Sequence, residues 1–194
     1  MDKEFTFFPN ERLKSLIDVF NELFGKRYNT YLVGGANEPY YRAVKLRSAN
    51  DEVDYHQVIF TRDYFSSALH EIAHWCVAGP ERRGLDDYGY WYAPDGRSSE
   101  QQAEFEKVEV KPQAMERIFS QAAGQKFRVS ADNLEAELGA SEAFISNIHR
   151  QTLHYCHNGL PKRAQAFAEG VAKAFQQPYP LQEKLYLLED IAIG

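Results

Sequence analysis

The chain has 194 residues, 28 acidic against 22 basic, a formal charge of -6, and 44% hydrophobic residues. This composition excludes a disordered chain and a fibrous repeat, and the length fits one ordinary domain spanning 1–194. A sequence-independent nucleic-acid binder needs a basic face, so nucleic acid is not an expected partner. Two cysteines, Cys76 and Cys156, are too few for a disulfide framework. The N-terminal MDKEFTFFPNERLK carries acids at once and lacks the apolar core of a signal peptide, and no stretch is apolar enough for a membrane span. A cytoplasmic protein without membrane partners is the expectation.

In chain order, Asn10 is a plausible N-cap. Leu13, Leu16, Ile17, Phe20 and Leu23 recur at helical spacing, with Gly25 as the expected stop. Tyr28 to Val33 reads as a strand, with Gly34-Gly35 as its turn. Val58-Ile59-Phe60 reads as a second strand. Asp63 is the expected cap of a helix from about Tyr64 to Ala78, ended by Gly79-Pro80.

From Glu81 to Arg97, glycines, Pro94 and a run of aromatics predict a loop or an irregular strand. A long helix follows from Ser99 toward Ala123, bent at Pro112. Phe127 to Val129 reads as extended. Helices are expected from Ser141 to about Cys156 and from Pro161 to about Phe175. The class is α/β in the α+β sense: a small mixed sheet with helices and a helical C-terminal part.

The most informative residues are His70-Glu71-Ile72-Ala73-His74, an H-E-x-x-H pattern inside a predicted helix. Histidines four apart lie one turn above each other, so both imidazoles can reach one ion, and Glu71 lies beside them as the candidate catalytic carboxylate. Random placement gives about 0.02 such matches in a chain of this composition, so two merely structural histidines are the weaker explanation.

A third ligand is required. The extended pattern H-E-x-x-H-x-x-G-x-x-H fails, because Val77 and Pro80 stand where its Gly and His should be. Gln102, Glu106, Glu109 and Gln113 form one polar stripe on the next long helix, and Glu109 or Glu106 is the candidate carboxylate. A solvated acidic face is the competing explanation for that stripe. His149, His154 and His157 lack a carboxylate at suitable spacing and read as structural.

The loop between these helices is well placed to form a pocket wall. Tyr88, Tyr90, Trp91 and Tyr92 could hold an alkyl-ammonium chain by stacking and cation–π contact, with Asp86, Asp87 or Asp95 taking its amines and Arg97 as a further substrate-binding candidate. The same aromatics could instead simply fill core. With zinc, two histidines and a carboxylate support hydrolysis by a peptidase or nuclease. With iron(II), the same set is a facial triad for oxygen chemistry. A non-catalytic protein braced by a closed metal site is the reading from a different class.

The run HEIAHWCVAG followed by RR, DYGYWY, PDGR and FEKVEVKPQA resembles the bacterial elongation factor P hydroxylases, over most of the chain and past DNLE at Asp132–Glu135. The resemblance implies an oxygenase acting on the lysine of elongation factor P that already carries a β-lysyl group. It implies a fold similar to a zincin-like ribosomal-RNA maturation nuclease. It also implies a divalent metal, expected to be Fe(II), held by His70, His74 and a carboxylate of the FEKVEV segment, Glu109 ahead of Glu106. Molecular oxygen would be the co-substrate, and the resemblance supplies no electron donor.

Overall fold

The computed structural model describes residues 9–44, 53–89, 97–131 and 139–193. The chain divides into two compact units, Met1–Tyr90 and Trp91–Gly194. The class is α+β, with a three-stranded sheet in the first unit and three long helices in the second. No helix among the described residues is long and apolar enough to cross a membrane.

The first unit opens with α1 (Glu11–Tyr28), capped by the Asn10 side chain, which accepts from the Leu13 N–H at 2.9 Å. The helix does not stop at Gly25. It continues to Tyr28 and ends at Asn29, whose φ of 48° is the left-handed conformation that closes helices. Gly25 serves packing instead, since a Cβ there would meet the Tyr31 ring at 2.8 Å.

Three strands follow: β1 (Thr30–Ala36), β2 (Tyr40–Arg42) and β3 (His56–Thr61). The central β3 pairs in parallel with β1 and antiparallel with β2. Gly34-Gly35 do not turn the chain. They lie within β1, where the pairing with β3 shifts register between Val33 and Ala36 and Gly35 takes a φ of 98°. On α1, the Asn21 side chain accepts from the Leu32 N–H at 2.9 Å.

The next helix, α2, spans Phe65–Val77 and packs against β3. Its N-cap is Tyr64, without a side-chain cap, so Asp63 does not play the expected part. The entry is stitched instead by Ser67, whose hydroxyl accepts from the Thr61 N–H at 3.0 Å. Leu69, Ile72 and Trp75 are fully buried on one side of α2. The Trp75 ring meets Phe20, Phe24 and Tyr28 of α1 at 5.2, 4.9 and 5.4 Å. Burying aromatic side chains of this size contributes roughly 2–3 kcal/mol each, which pins the rotation of α2 about its axis.

The second unit is built on α3 (Ser99–Ala122), closed at its start by a capping box between Ser98 and Gln101. The helix is continuous across Pro112. It packs on α4 (Glu142–Asn158) and α5 (Lys162–Ala174), with Ile118, Phe119, Phe144, Ile148, Phe167 and Val171 forming the core between them. Gly159 closes α4 with a φ of 81°, as its position in the sequence predicts. The extended piece after α3 is β4 (Arg128–Val129), paired in parallel with β5 (Ala192–Ile193) near the C-terminus.

Candidate metal centre

The apolar face that docks α2 leaves the opposite face with His70, Glu71 and His74, all partly exposed. The two Nε2 atoms converge to 3.0 Å and the rings meet edge to face, with centroids 4.6 Å apart. Bonds of about 2.1 Å to one ion put two nitrogens at right angles about 3.0 Å apart, so the spacing fits a shared metal. Ion binding requires both Nε2 atoms to be free of protons, with each ring's remaining proton on Nδ1.

Arg83 steadies the far end of α2. Its Nη1 donates to the Ala78 carbonyl at 2.8 Å, and its guanidinium lies 5.8 Å from the Trp75 ring centroid.

The short 3-10 turn at Asp86–Gly89 lies within the described part of the predicted aromatic loop. Asp87 and Tyr88 take φ values of 45° and 56°, a left-handed conformation costing non-glycine residues on the order of 1–3 kcal/mol each. Two carboxylates anchor the turn to β2 and the residue that follows it. Asp87 Oδ1 accepts from the Tyr41 N–H at 2.8 Å and Asp86 Oδ1 from the Ala43 N–H at 2.9 Å. Burial raises the Asp87 pKa, against the lowering effect of the Tyr41 hydrogen bond, and the neighbouring Asp86 charge raises it further.

Tyr88 is buried and its ring stacks on Tyr41, with centroids 4.3 Å apart. Nothing in the sequence singles out Tyr41, which lies 46 residues before Asp87 and enters the site only through the strand pairing that places β2. Of the other predicted loop residues, Tyr90, Trp91, Tyr92 and Asp95 lie outside the described residues.

In the second unit, Arg97 is buried. Its guanidinium donates to Gln102 Oε1 and to the Ala131 carbonyl, both at 3.0 Å, and lies 4.1 Å from the centroid of the Phe105 ring. The polar stripe on α3 divides into separate tasks. Gln102 Nε2 donates to the Ala131 carbonyl at 3.0 Å. Gln113 clasps Ser130, donating to its carbonyl at 2.8 Å and accepting from its N–H at 3.2 Å.

Glu106 accepts from the Ser141 N–H at 3.0 Å and from its hydroxyl at 2.6 Å. Glu109 is 2% exposed, with Gln113 Nε2 at 3.5 Å from its carboxylate. A carboxylate at that depth needs cationic or hydrogen-bonding compensation. A carboxylate is the donor type that completes a pair of imidazoles in a metal site.

The C-terminal histidines go to three different partners. His149 Nδ1 lies 3.1 Å from Arg117, His154 Nδ1 3.2 Å from Asn158, and His157 Nε2 2.8 Å from Glu183. Cys156 is partly buried, and burial followed by the Glu183 charge pushes its thiol up to about 11, well outside the reactive range.

A helix that presents two histidines and a carboxylate from its polar face is typical of metal-dependent enzymes. The elongation factor P hydroxylase family profile matches residues 19–186. An elongation factor P lysine hydroxylase from Haemophilus influenzae is 51% identical over 160 residues, covering 82% of this chain and 87% of that protein. The chain belongs to the elongation factor P hydroxylase family.

Proposed function

We propose that this chain hydroxylates the side chain of the lysine in elongation factor P that already bears a β-lysyl group, in the cytoplasm. His70 and His74 supply two nitrogen ligands to a divalent metal, Fe(II), and Glu109 supplies the carboxylate, the whole chain 1–194 acting as one catalytic domain. The observation that carries this reading is the 3.0 Å convergence of the His70 and His74 Nε2 atoms, in a chain of this family. When iron(II) is bound, such a donor set supports oxygen-dependent C–H hydroxylation, with molecular oxygen as co-substrate.

The protein's own groups hold and orient the substrate. Glu71, next to His70 on α2, holds a proton or orients a group at the reacting end. Asp87, Tyr88, Tyr90, Trp91, Tyr92 and Asp95 are assigned to binding the aliphatic chain and its amines. Arg97, whose guanidinium donates to Gln102 and to the Ala131 carbonyl, is the remaining substrate-binding residue of this reading.

The test is metal content after anaerobic purification, followed by intact-mass analysis of β-lysylated elongation factor P incubated with and without oxygen. Iron together with an oxygen-dependent gain of one oxygen atom supports the reading. Zinc with no mass gain overturns it in favour of hydrolysis.

A further inference from the structure

Tyr88 is 5% exposed, and its hydroxyl is buried without a hydrogen-bond partner. Withdrawing a phenol from water without a partner is unfavourable, yet the surrounding structure holds it there. The backbone at Asp87 and Tyr88 is left-handed, a conformation that persists only where its surroundings over-determine it. The Asp86 and Asp87 carboxylates supply that restraint by holding β2. Tyr41 clamps the ring from one side, and the Tyr41 hydroxyl is itself tied to the Arg83 carbonyl at 2.8 Å. Each of these restraints fixes where the Tyr88 hydroxyl sits, and none of them uses it.

Burial first, and then the Glu71 carboxylate, hold the phenol far above its ordinary pKa, so the group is an O–H donor at any working pH. Glu71, which follows His70 on α2, is the charge acting most strongly on it.

A buried donor with no acceptor among the described residues is matched by an acceptor that arrives with the ligand. On the functional reading above, on which this inference rests, the substrate differs from an ordinary lysine by a β-lysyl group, with its chain and two amines, joined through one amide. Its carbonyl joins the β-lysyl group to the target nitrogen. A bare lysine ammonium has no lone pair to offer. We propose that Tyr88 is a specificity-determining residue whose hydroxyl donates a hydrogen bond to that amide carbonyl, so that lysylated elongation factor P is preferred over the unmodified factor. A site with a buried donor discriminates against an analogue that cannot fill it, because the donor is then left unpaired.

Tyr88→Phe removes the hydroxyl and keeps the ring on Tyr41. The measurement is calorimetric binding of lysylated and unmodified elongation factor P to the metal-loaded enzyme without oxygen, beside thermal melts of both proteins. The expected result is a wild-type preference for the lysylated factor that shrinks about tenfold in the variant, with a melting temperature equal to or above wild type. A preference that survives in Tyr88→Phe overturns the inference. So does an equal loss for both forms with a lowered melting temperature, or a wild-type enzyme that hydroxylates the lysylated factor yet binds both forms alike. A wild-type enzyme that hydroxylates neither form, scored by mass, overturns the functional reading and this inference with it.

Discussion

Glu106 accepts hydrogen bonds from both the backbone N–H and the hydroxyl of Ser141, the N-cap residue of α4. That double contact separates two glutamates that look equivalent in the sequence. Glu106 is occupied in starting a helix, whereas Glu109, one turn further along α3, is buried at 2% exposure. On the proposed site, Glu109→Gln abolishes iron retention, as His70→Ala does, with far-ultraviolet circular dichroism unchanged. Glu106→Gln keeps the metal and loses roughly 0.5–2 kcal/mol of stability through the weakened cap. Metal analysis of the three variants decides between the glutamates, and iron retained in Glu109→Gln would remove it from the ligand set.

Asp87 does structural work for a strained turn. Asp87→Ala deletes the acceptor for the Tyr41 N–H while the left-handed backbone at 87 and 88 remains unfavourable. The expected loss is about 1–3 kcal/mol in urea denaturation. Substrate KM should rise more than kcat falls, because the turn that presents Tyr88 loosens before the metal ligands on α2 do. A variant as stable as wild type would show that the turn does not depend on this anchor.

Acid should weaken the fold through two histidines held neutral. Burial, and then the Arg83 charge, lower the His56 pKa, while its Nδ1 accepts from the Val44 N–H at 3.0 Å. Burial, and then Arg117, lower that of His149, whose Nδ1 faces a guanidinium able only to donate. The unfolded chain, with ordinary histidines near pH 6.5, binds these protons more readily. Their contribution is therefore complete above about pH 6.5 and is lost as pH falls through the lower native values. Urea midpoints should drop between pH 7.5 and 5.5, and His56→Gln should reduce that slope. A midpoint that rises on acidification contradicts this assignment.

Much of the architecture is legible in the chain. The H-E-x-x-H helix, the two helices after Ser141 and Pro161, and the long helix from Ser99 rest on local periodicity and caps, which short-range physics determines. Two of the differences between the sequence expectation and the fold share one cause. Gly25 was expected to stop a helix, but the Tyr31 ring requires a residue without Cβ inside it. Gly34-Gly35 were expected to turn the chain, but they accommodate a register shift against β3. In both places a glycine that looks like local punctuation answers a neighbour from another element.

The sequence by itself determined the chemistry available: two imidazoles one turn apart, a carboxylate beside them, two candidate glutamates and an aromatic loop, all set by spacing along single elements. Tertiary structure decided how those groups are used. It assigned Glu106 to Ser141 and left Glu109 buried. It committed Arg97 to Gln102 and Ala131, and it pressed Tyr88 against Tyr41 with its hydroxyl unpaired. These outcomes join residues up to 47 positions apart, as with Tyr41 and Tyr88. Helical and strand periodicity reports only which face a residue occupies, and which partner meets that face is settled when the elements pack.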